Sequence, residues 1–267
     1  MRTSSKCNVV GILIDAVDYR AALEVILAAA HARRNTSVSA LAVHGLMTGV
    51  LDPEQKFRLN HFDLLVPDGQ PVRWVLNFLH RAQLPDRVYG PNLTLKVCAH
   101  AAADGLPVYF YGSTPDTLAA LQRTLAEKFP DLIIAGMEPS RFRRLTPGEK
   151  SEVAARIQSS GARIAFVGLG CPRQEAFAYE FRELLPMPVL AVGAAFPFIA
   201  GQLPQAPMWM QNAGLEWLFR FAAEPARLWR RYLYLNPAYL FLVSLQALRL
   251  WQFPTAGKSP AQELLFG

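Results

Sequence analysis

An aspartate stands where an apolar segment ends, in a position that suits acid–base chemistry. Residues 64–67 (Leu-Leu-Val-Pro) run directly into Asp68 and Gly69. If the segment is a strand, the carboxylate of Asp68 lies at the rim of a sheet, and Gly69 allows a sharp turn beside it. A carboxylate there can accept the proton of an attacking hydroxyl. Aspartate is also frequent as a plain turn or capping residue, and the residues by themselves favour that role.

Two further glycine-bearing junctions suit an anion. Gly168 and Gly170 separate an apolar segment from a helix start, and Gly112 precedes another helix start at Ser113-Thr114-Pro115. Backbone N–H groups at a helix N-terminus attract phosphate, so these glycines, with Gly69, are candidate substrate-binding positions. The third glycine of the dinucleotide fingerprint is missing, which weighs against a nicotinamide cofactor.

Metal and thiol chemistry find little support. The three cysteines are far apart, the five histidines show no metal-ligand spacing, and no Asp-x-Asp motif occurs. Cys171 has no histidine near it in the sequence to activate it, so a packing role is favoured. We therefore expect a reducing, cytoplasmic location, no bound metal and no cofactor. Any pyrophosphate must then be met by arginines, whose guanidinium fork suits it.

Arginines and aromatic residues concentrate near the C-terminus. Of a chain with net charge +6, residues 218–253 hold five arginines against one glutamate, and four of the five tryptophans lie beyond residue 208. Basic clusters attract nucleic acid, phosphate or anionic lipid, and the aromatic neighbours favour a lipid surface over nucleic acid. The alternative is that these aromatics pack on the core. The longest apolar stretch, 238–248, is too short to span a bilayer.

These residues need a frame of alternating strands and helices. A composition of 52% hydrophobic and 18% charged residues excludes disorder. Apolar runs predict strands at 9–14, 37–43, 62–66, 108–111, 132–135, 163–168 and 189–192. Helices are predicted at 19–33, 115–129, 147–158, 208–223 and 226–234, with a loop at 194–207. The pattern predicts an α/β, Rossmann-like open, mostly parallel sheet over residues 1–195 and a helical appendage over 196–267.

Several motifs together resemble the WecG/TagA/CpsF family of glycosyltransferases of cell-surface polysaccharide synthesis. The motifs, in chain order, are 62–69 (FDLLVPDG), 87–90 (RVYG), 167–175 (VGLGCPRQE), 192–196 (VGAAF), 206–207 (AP), 214–220 (GLEWLFR) and 224–232 (EPARLWRRY). The resemblance covers about residues 8–240, and the order and spacing of these motifs are specific.

The resemblance implies a function and roles for individual residues. It implies metal-independent, inverting transfer of a hexose-type sugar from a UDP-sugar to an undecaprenyl-diphosphate-linked acceptor, at the inner face of the cytoplasmic membrane. Asp68 becomes the general base and Gln174 a donor-binding residue. Arg220, Arg227 and Arg230 surround the diphosphates from the appendage, which also seats the enzyme on the membrane. A homo-oligomer stays open.

Two departures and two rival functions remain. The region 39–45 (SALAVHG) has no Thr-x-Asn element, which many members carry, and Gln205 precedes Ala206-Pro207 where Arg is common. His44 is a candidate polar substitute. The rival functions are a nucleotide-sugar epimerase or dehydrogenase, and a non-catalytic membrane module that binds a lipid diphosphate.

Overall fold

The fold is built on one parallel sheet and a small hairpin. The computed structural model describes residues 6–267, with the side chains of all except Asn212, Arg227, Arg230 and Arg231. The strands are β1 (Lys6–Val9), β2 (Ile12–Asp15), β3 (Thr36–Leu41), β4 (Leu64–Pro67), β5 (Val108–Gly112), β6 (Ile134–Glu138), β7 (Ile164–Gly168) and β8 (Pro188–Ala191).

Strands β3 to β8 form the predicted open parallel sheet. Their order is β4-β3-β8-β7-β5-β6, and every neighbouring pair is parallel. In the centre, Thr36 of β3 pairs with Pro188 of β8. Because all six strands run the same way, the segments that follow them meet at one edge, where such sheets bind ligands.

Helices cover both faces of this sheet. They are α1 (Tyr19–His31), α2 (Val43–Leu51), α3 (Pro53–Asn60), α4 (Gln70–His80), α5 (Gly90–Ala103), α6 (Pro115–Lys128), α7 (Pro147–Ser159), α8 (Arg173–Phe181), α9 (Ala195–Ile199), α10 (Met208–Asn212), α11 (Glu216–Ala223), α12 (Pro225–Arg230) and α13 (Asn236–Ala247), with a π-helical segment at Arg231–Leu235. None of the helices in the described part of the chain is both long and apolar enough to cross a membrane.

Alternation along the strands divides the core into two layers. On β5, Phe110 stacks on Phe166 of β7 in the layer under α1, α5, α6 and α9. The next residue, Tyr111, points the other way and stacks on Phe177 of α8, in the layer that also holds residues of α2, α3, α4 and α7. Successive strand side chains point to opposite faces, so burial on both faces explains why these strands are continuously apolar.

The first predicted strand is wrong. Residues 9–14 are not one strand of the main sheet but the turn and inner halves of the antiparallel β1–β2 hairpin. Val10 and Gly11 have φ angles of 44° and 93°, which close a two-residue hairpin turn. The hairpin covers the sheet's outer edge, where the buried Asp15 carboxylate accepts a 2.8 Å hydrogen bond from the Leu65 N–H of β4.

Helix starts follow their local sequence. The Thr114 side chain accepts a hydrogen bond from the Thr117 N–H at the start of α6, and Pro115 is the first helical residue, as predicted. The predicted loop at 194–207 is only partly a loop, because α9 begins at Ala195. Its Phe196 is buried in the core and compensates for the helix's short length.

The C-terminal helices are separate pieces that return to the core. The predicted helix 208–223 is interrupted between α10 and α11, and Glu224 separates α11 from α12 with a φ of −136°. On α13, Tyr239 is buried in the core, and the Gln246 side chain exchanges two 2.8 Å hydrogen bonds with Asn8 and Val10 of the hairpin. The division at residue 195 stays a prediction.

Candidate active site

Asp68 lies at the carboxyl edge of the sheet, directly after β4. Its N–H donates to the Leu41 carbonyl of β3, and its Oδ1 accepts a 3.0 Å hydrogen bond from the Gly90 N–H at the start of α5. The side chain is half-buried. Gly69 has an extended conformation (φ −89°, ψ 141°) as the N-cap of α4, so the sharp turn expected there is absent. A Cβ at Gly69 would lie 3.5 Å from that of Ala42, an ordinary contact.

Among the charged residues, Arg87 acts most strongly on the pKa of Asp68. The adjacent Val88 N–H donates a 2.8 Å hydrogen bond to the Pro67 carbonyl, which holds this segment against the end of β4. The buried Arg87 guanidinium forms an ion pair with Glu216 of α11, and its carbon lies 4.3 Å from the centroid of the Tyr89 ring. The segment 87–90 was noted in the sequence, but it gave no sign that Arg87 meets α11.

Burial raises the pKa of Asp68 to about 6. The positive charges of Arg87 and Arg220 and the Gly90 N–H lower it, and the Glu216 carboxylate raises it further. An aspartate with such a pKa is ionised near neutral pH, yet it is a stronger base than an ordinary carboxylate. Perturbed carboxyl groups of this kind concentrate at functional sites.

Arg220 belongs to the appendage, and its charge acts on Asp68; its role at the diphosphates stays a prediction. It lies on α11, half-buried, with its guanidinium carbon 5.4 Å from the centroid of the Phe198 ring, which follows β8. Arg227 and Arg230 lie on α12, which Glu224 separates from α11, and their side chains lie outside the described residues. Their roles stay predictions.

The glycines at β5 and β7 have a packing reason. Gly112 has a φ of +112°, and a Cβ there would lie 2.8 Å from the Gly168 backbone. A Cβ on Gly168 would lie 2.5 Å from the Phe196 ring. Both glycines are therefore needed for close approach of neighbouring strands and α9. Gly170 has a φ of +78° and space beside it. A role for these three in binding substrate stays a prediction.

Gln174 belongs to a buried polar cluster at the same edge. Its Nε2 donates a 2.9 Å hydrogen bond to Glu175, which also accepts one of 3.1 Å from Ser39 of β3. Burial raises the pKa of Glu175, although the hydrogen bond from Gln174 lowers it. Within the described residues the Gln174 Oε1 has no hydrogen-bond partner, and it lies against Gly193, where β8 has just ended. This geometry is compatible with a role for Gln174 in the site, which stays a prediction.

His44 lies near Cys171, a relationship that the sequence spacing conceals. The Nδ1 of His44 and the Sγ of Cys171 are 3.8 Å apart, although the residues are 127 positions apart in the chain. Within the described residues no group of three or more His, Cys, Asp or Glu side chains could hold a metal ion. Ala42, which follows β3 and precedes α2, lies beside Gly69, so an apolar methyl group stands close to the segment that carries Asp68.

The appendage exposes a broad aromatic surface. All four of its tryptophans are exposed, with fractions of 63% for Trp209, 41% for Trp217, 39% for Trp229 and 61% for Trp251. Leu240 and Phe241 on α13 are exposed as well. Their exposure disagrees with the alternative interpretation, in which the aromatic side chains pack on the core. Exposed apolar surface of this extent marks an interaction site.

The chain belongs to a known family of transferases. The sequence model of the glycosyl transferase WecG/TagA/CpsF family matches residues 7–252, nearly the whole chain, so the chain is a member of that family. It is accordingly a glycosyltransferase of cell-surface polysaccharide synthesis.

Proposed function

We propose that this glycosyltransferase moves a hexose-type sugar from a UDP-sugar to an undecaprenyl-diphosphate-linked acceptor, with inversion and without a metal ion. Family membership supports the transfer itself, and the finer statement rests on the site. An open parallel sheet offers its carboxyl edge to a nucleotide-linked substrate, and Asp68, Gln174 and Arg220 all come from segments at that edge or beside it.

The observation that carries the proposal is the environment of Asp68. Its carboxylate accepts one backbone hydrogen bond and forms no ion pair among the described side chains, although Arg87 and Arg220 influence it. In the proposed step Asp68 takes the proton of the acceptor hydroxyl as that oxygen attacks the anomeric carbon. The bond from that carbon to the UDP oxygen breaks, and the electron pair leaves with UDP.

The charge of the departing diphosphate calls for cations at the same edge. The charge of Arg220 already acts on the proposed base, and Arg227 and Arg230 follow it in the chain. One guanidinium group can donate hydrogen bonds to two diphosphate oxygens, and it stays charged throughout the reaction. Arginines can therefore stabilise the negative charge of the leaving diphosphate in a site without a metal ion. The absence of an Asp-x-Asp motif from the sequence supports this choice.

The appendage supports a peripheral position on the inner face of the cytoplasmic membrane. Arginines interleaved with exposed tryptophans, leucines and phenylalanines suit an anionic lipid surface, since the rings enter the headgroup region while the guanidinium groups meet phosphate. A lipid-linked acceptor would reach the Asp68 edge from that surface.

The test is sugar transfer by the full chain and by Asp68→Asn. A panel of UDP-sugars is incubated with membrane extract as acceptor, and UDP release is followed. We expect one donor to be consumed, and Asp68→Asn to lose about 10²–10⁴-fold in turnover with little change in donor affinity. Asp131→Asn, an exposed aspartate at the far side of the sheet, is the matched control.

Three outcomes would contradict the proposal. Near-normal turnover in Asp68→Asn would return that residue to a turn role. Absence of UDP release with every donor, together with binding of lipid diphosphate, would favour the non-catalytic module. Conversion of the nucleotide sugar without transfer, with a bound nicotinamide, would favour the epimerase or dehydrogenase.

A further inference from the structure

Asp68 has a cation close by but no direct ion pair with it. Arg87 is the strongest of the charged groups that act on Asp68, yet the carboxylate's hydrogen bond comes from the Gly90 N–H. A carboxylate and a guanidinium that act strongly on each other's charge often form a bidentate pair. Something therefore holds Arg87 in another direction.

Glu216 supplies that restraint. The Arg87 Nη2 donates a hydrogen bond to Glu216 Oε2 and a longer one, of 3.4 Å, to Gln211 Oε1. The face of the guanidinium is taken up by the Tyr89 ring. Both charged side chains are buried, Arg87 at 8% exposure and Glu216 at 9%. A buried pair of this kind is costly to break, because a single uncompensated charge would remain.

We infer that Glu216 is a positioning residue that holds Arg87 out of a direct ion pair with Asp68 and so keeps the Asp68 carboxylate free to accept a proton. The inference rests on the proposed role of Asp68 as the general base. Without Glu216, the carboxylate whose charge acts most strongly on the buried guanidinium is that of Asp68. A carboxylate engaged by Arg87 is a weaker base and has its oxygens occupied.

The restraint comes from the appendage and not from the core. Glu216 is the first residue of α11, whereas Arg87 and Asp68 belong to segments flanking α4 and α5. Arg220 on the same helix also reaches the site. The position of α11 on the core thus determines whether the Asp68 carboxylate stays out of an ion pair and whether Arg220 acts on the site.

The titration of Asp68 can report on this arrangement because few groups face it. Arg87 and Tyr89 lie on the segment before α5, Tyr19 on α1, and Glu216 and Arg220 on α11. Both tyrosines have pKa values raised by burial and stay neutral. Asp86 also lies before α5, where its carboxylate accepts hydrogen bonds from the Arg87 N–H and the Gln70 side chain. Among the described residues, the charges that act on Asp68 are those of Arg87, Glu216 and Arg220.

The decisive variant is Glu216→Gln, which keeps the size and removes the anion. We expect the titration of Asp68 to move to lower pH by about one unit or more, because a negative charge is lost and Arg87 is released toward Asp68. The acid limb of the pH–kcat/KM profile should move with it, while kcat/KM near neutral pH falls. The carboxyl carbon of ¹³C-labelled Asp68, assigned by its loss in Asp68→Asn, gives the titration directly by NMR.

A merely structural role predicts a different result. Glu216→Gln would then move the Asp68 titration only through the loss of one negative charge, and so by the same amount with Arg87 present as in an Arg87→Gln background. Equal movements in the two backgrounds would overturn the inference. Glu138→Gln is the control for loss of an ion-paired carboxylate, since Glu138 of β6 forms a more exposed pair with Arg156 of α7, at the opposite edge of the sheet from β4. It should leave the Asp68 titration unchanged.

A second variant covers the case in which Glu216→Gln does not fold. Arg87→Gln combined with Glu216→Gln removes both buried charges, which is far milder than removing one. Because Arg87 acts on Asp68 more strongly than Glu216 does, the titration should then rise above that of the unmodified protein. A downward movement would contradict the inference.

The NMR arm separates this inference from the proposed function. If no UDP-sugar is consumed, the proposed function fails, but the movement of the Asp68 titration still tests whether Glu216 directs Arg87. If sugar is transferred and Glu216→Gln moves the titration equally in the two backgrounds, only the inference fails.

Discussion

The Oδ1 atom of Asp68 accepts a 3.0 Å hydrogen bond from the N–H of Gly90, the first residue of α5. This bond joins the end of β4 to the start of a helix 22 positions further along the chain. It fixes one oxygen of the carboxylate with a donor that no side-chain substitution removes. Among the described residues the Oδ2 atom has no hydrogen-bond partner, so it is the oxygen that can face an acceptor hydroxyl.

Keeping Asp68 in this place should cost stability at neutral pH. Its raised pKa means that the folded protein holds the proton more tightly than the unfolded chain does. The tighter proton binding stabilises the folded protein below the ordinary aspartate pKa, and this stabilisation is lost as the pH rises through about 6. Asp68→Asn should therefore raise the free energy of unfolding at about pH 8 by about 1–3 kcal/mol, and give no such gain at about pH 4. Urea denaturation at both pH values checks this, and equal effects would contradict it.

Transfer activity should survive an excess of chelator. The sequence has no Asp-x-Asp motif, and arginines are proposed to meet the diphosphate instead. UDP release is measured with and without EDTA, using an assay whose coupling steps need no metal. A complete loss of activity that Mg²⁺ restores would sink the metal-independent mechanism.

Arg220→Ala should damage turnover even when the membrane is not needed. With a soluble short-chain acceptor, loss of a cation that stabilises the leaving diphosphate is expected to cost about ten- to a thousandfold in kcat. Arg249→Ala, an exposed arginine beyond the end of α13, is the matched control and should transfer normally. If Arg220→Ala equals this control, the appendage acts only as an anchor.

Membrane binding should depend on the exposed apolar residues of α13. Leu240 and Phe241 are exposed at 58% and 63%, so replacing both with serine removes apolar area without opening the core. We expect about tenfold weaker binding or more to vesicles that contain phosphatidylglycerol, measured by flotation. Phe142→Ser is the control, since Phe142 is 59% exposed but lies outside the appendage. Similar losses in both variants would remove the support for α13 as a membrane contact.

The parallel sheet could be predicted from the sequence because strands buried on both faces are continuously apolar. The same rule failed at residues 9–14, which are just as apolar but fold back at Val10-Gly11. That turn carries none of the Asn-Gly or Asp-Gly signals of a hairpin. The helix α9 was missed because five residues between glycines and prolines show no period, and only the burial of Phe196 reveals why it forms.

The site was predictable only where a residue follows a strand directly. Asp68 is a candidate on that ground and Gln174 by resemblance, and both stay predictions. The Arg87–Glu216 pair joins residues 129 positions apart and leaves no local signal. The appendage shows the same limit. A truncation after Asn236 would remove the buried Tyr239 and the bonds of Gln246 to the hairpin, neither of which the sequence pattern predicts.

The pairing of β3 with β8 also governs how the chain can be made. Thr36 cannot pair with Pro188 until Pro188 has been synthesised. At ordinary translation speeds, roughly 8–30 s separate the emergence of the two residues from the ribosome. During that time β3 and β4 have an unpaired inner edge, while the outer edge is already covered by the β1–β2 hairpin, which needs only nearby residues. The nascent protein is therefore protected on one side only. Its exposed side is the one that later completes the sheet, so the first third of the chain carries an unpaired strand edge until β8 is made.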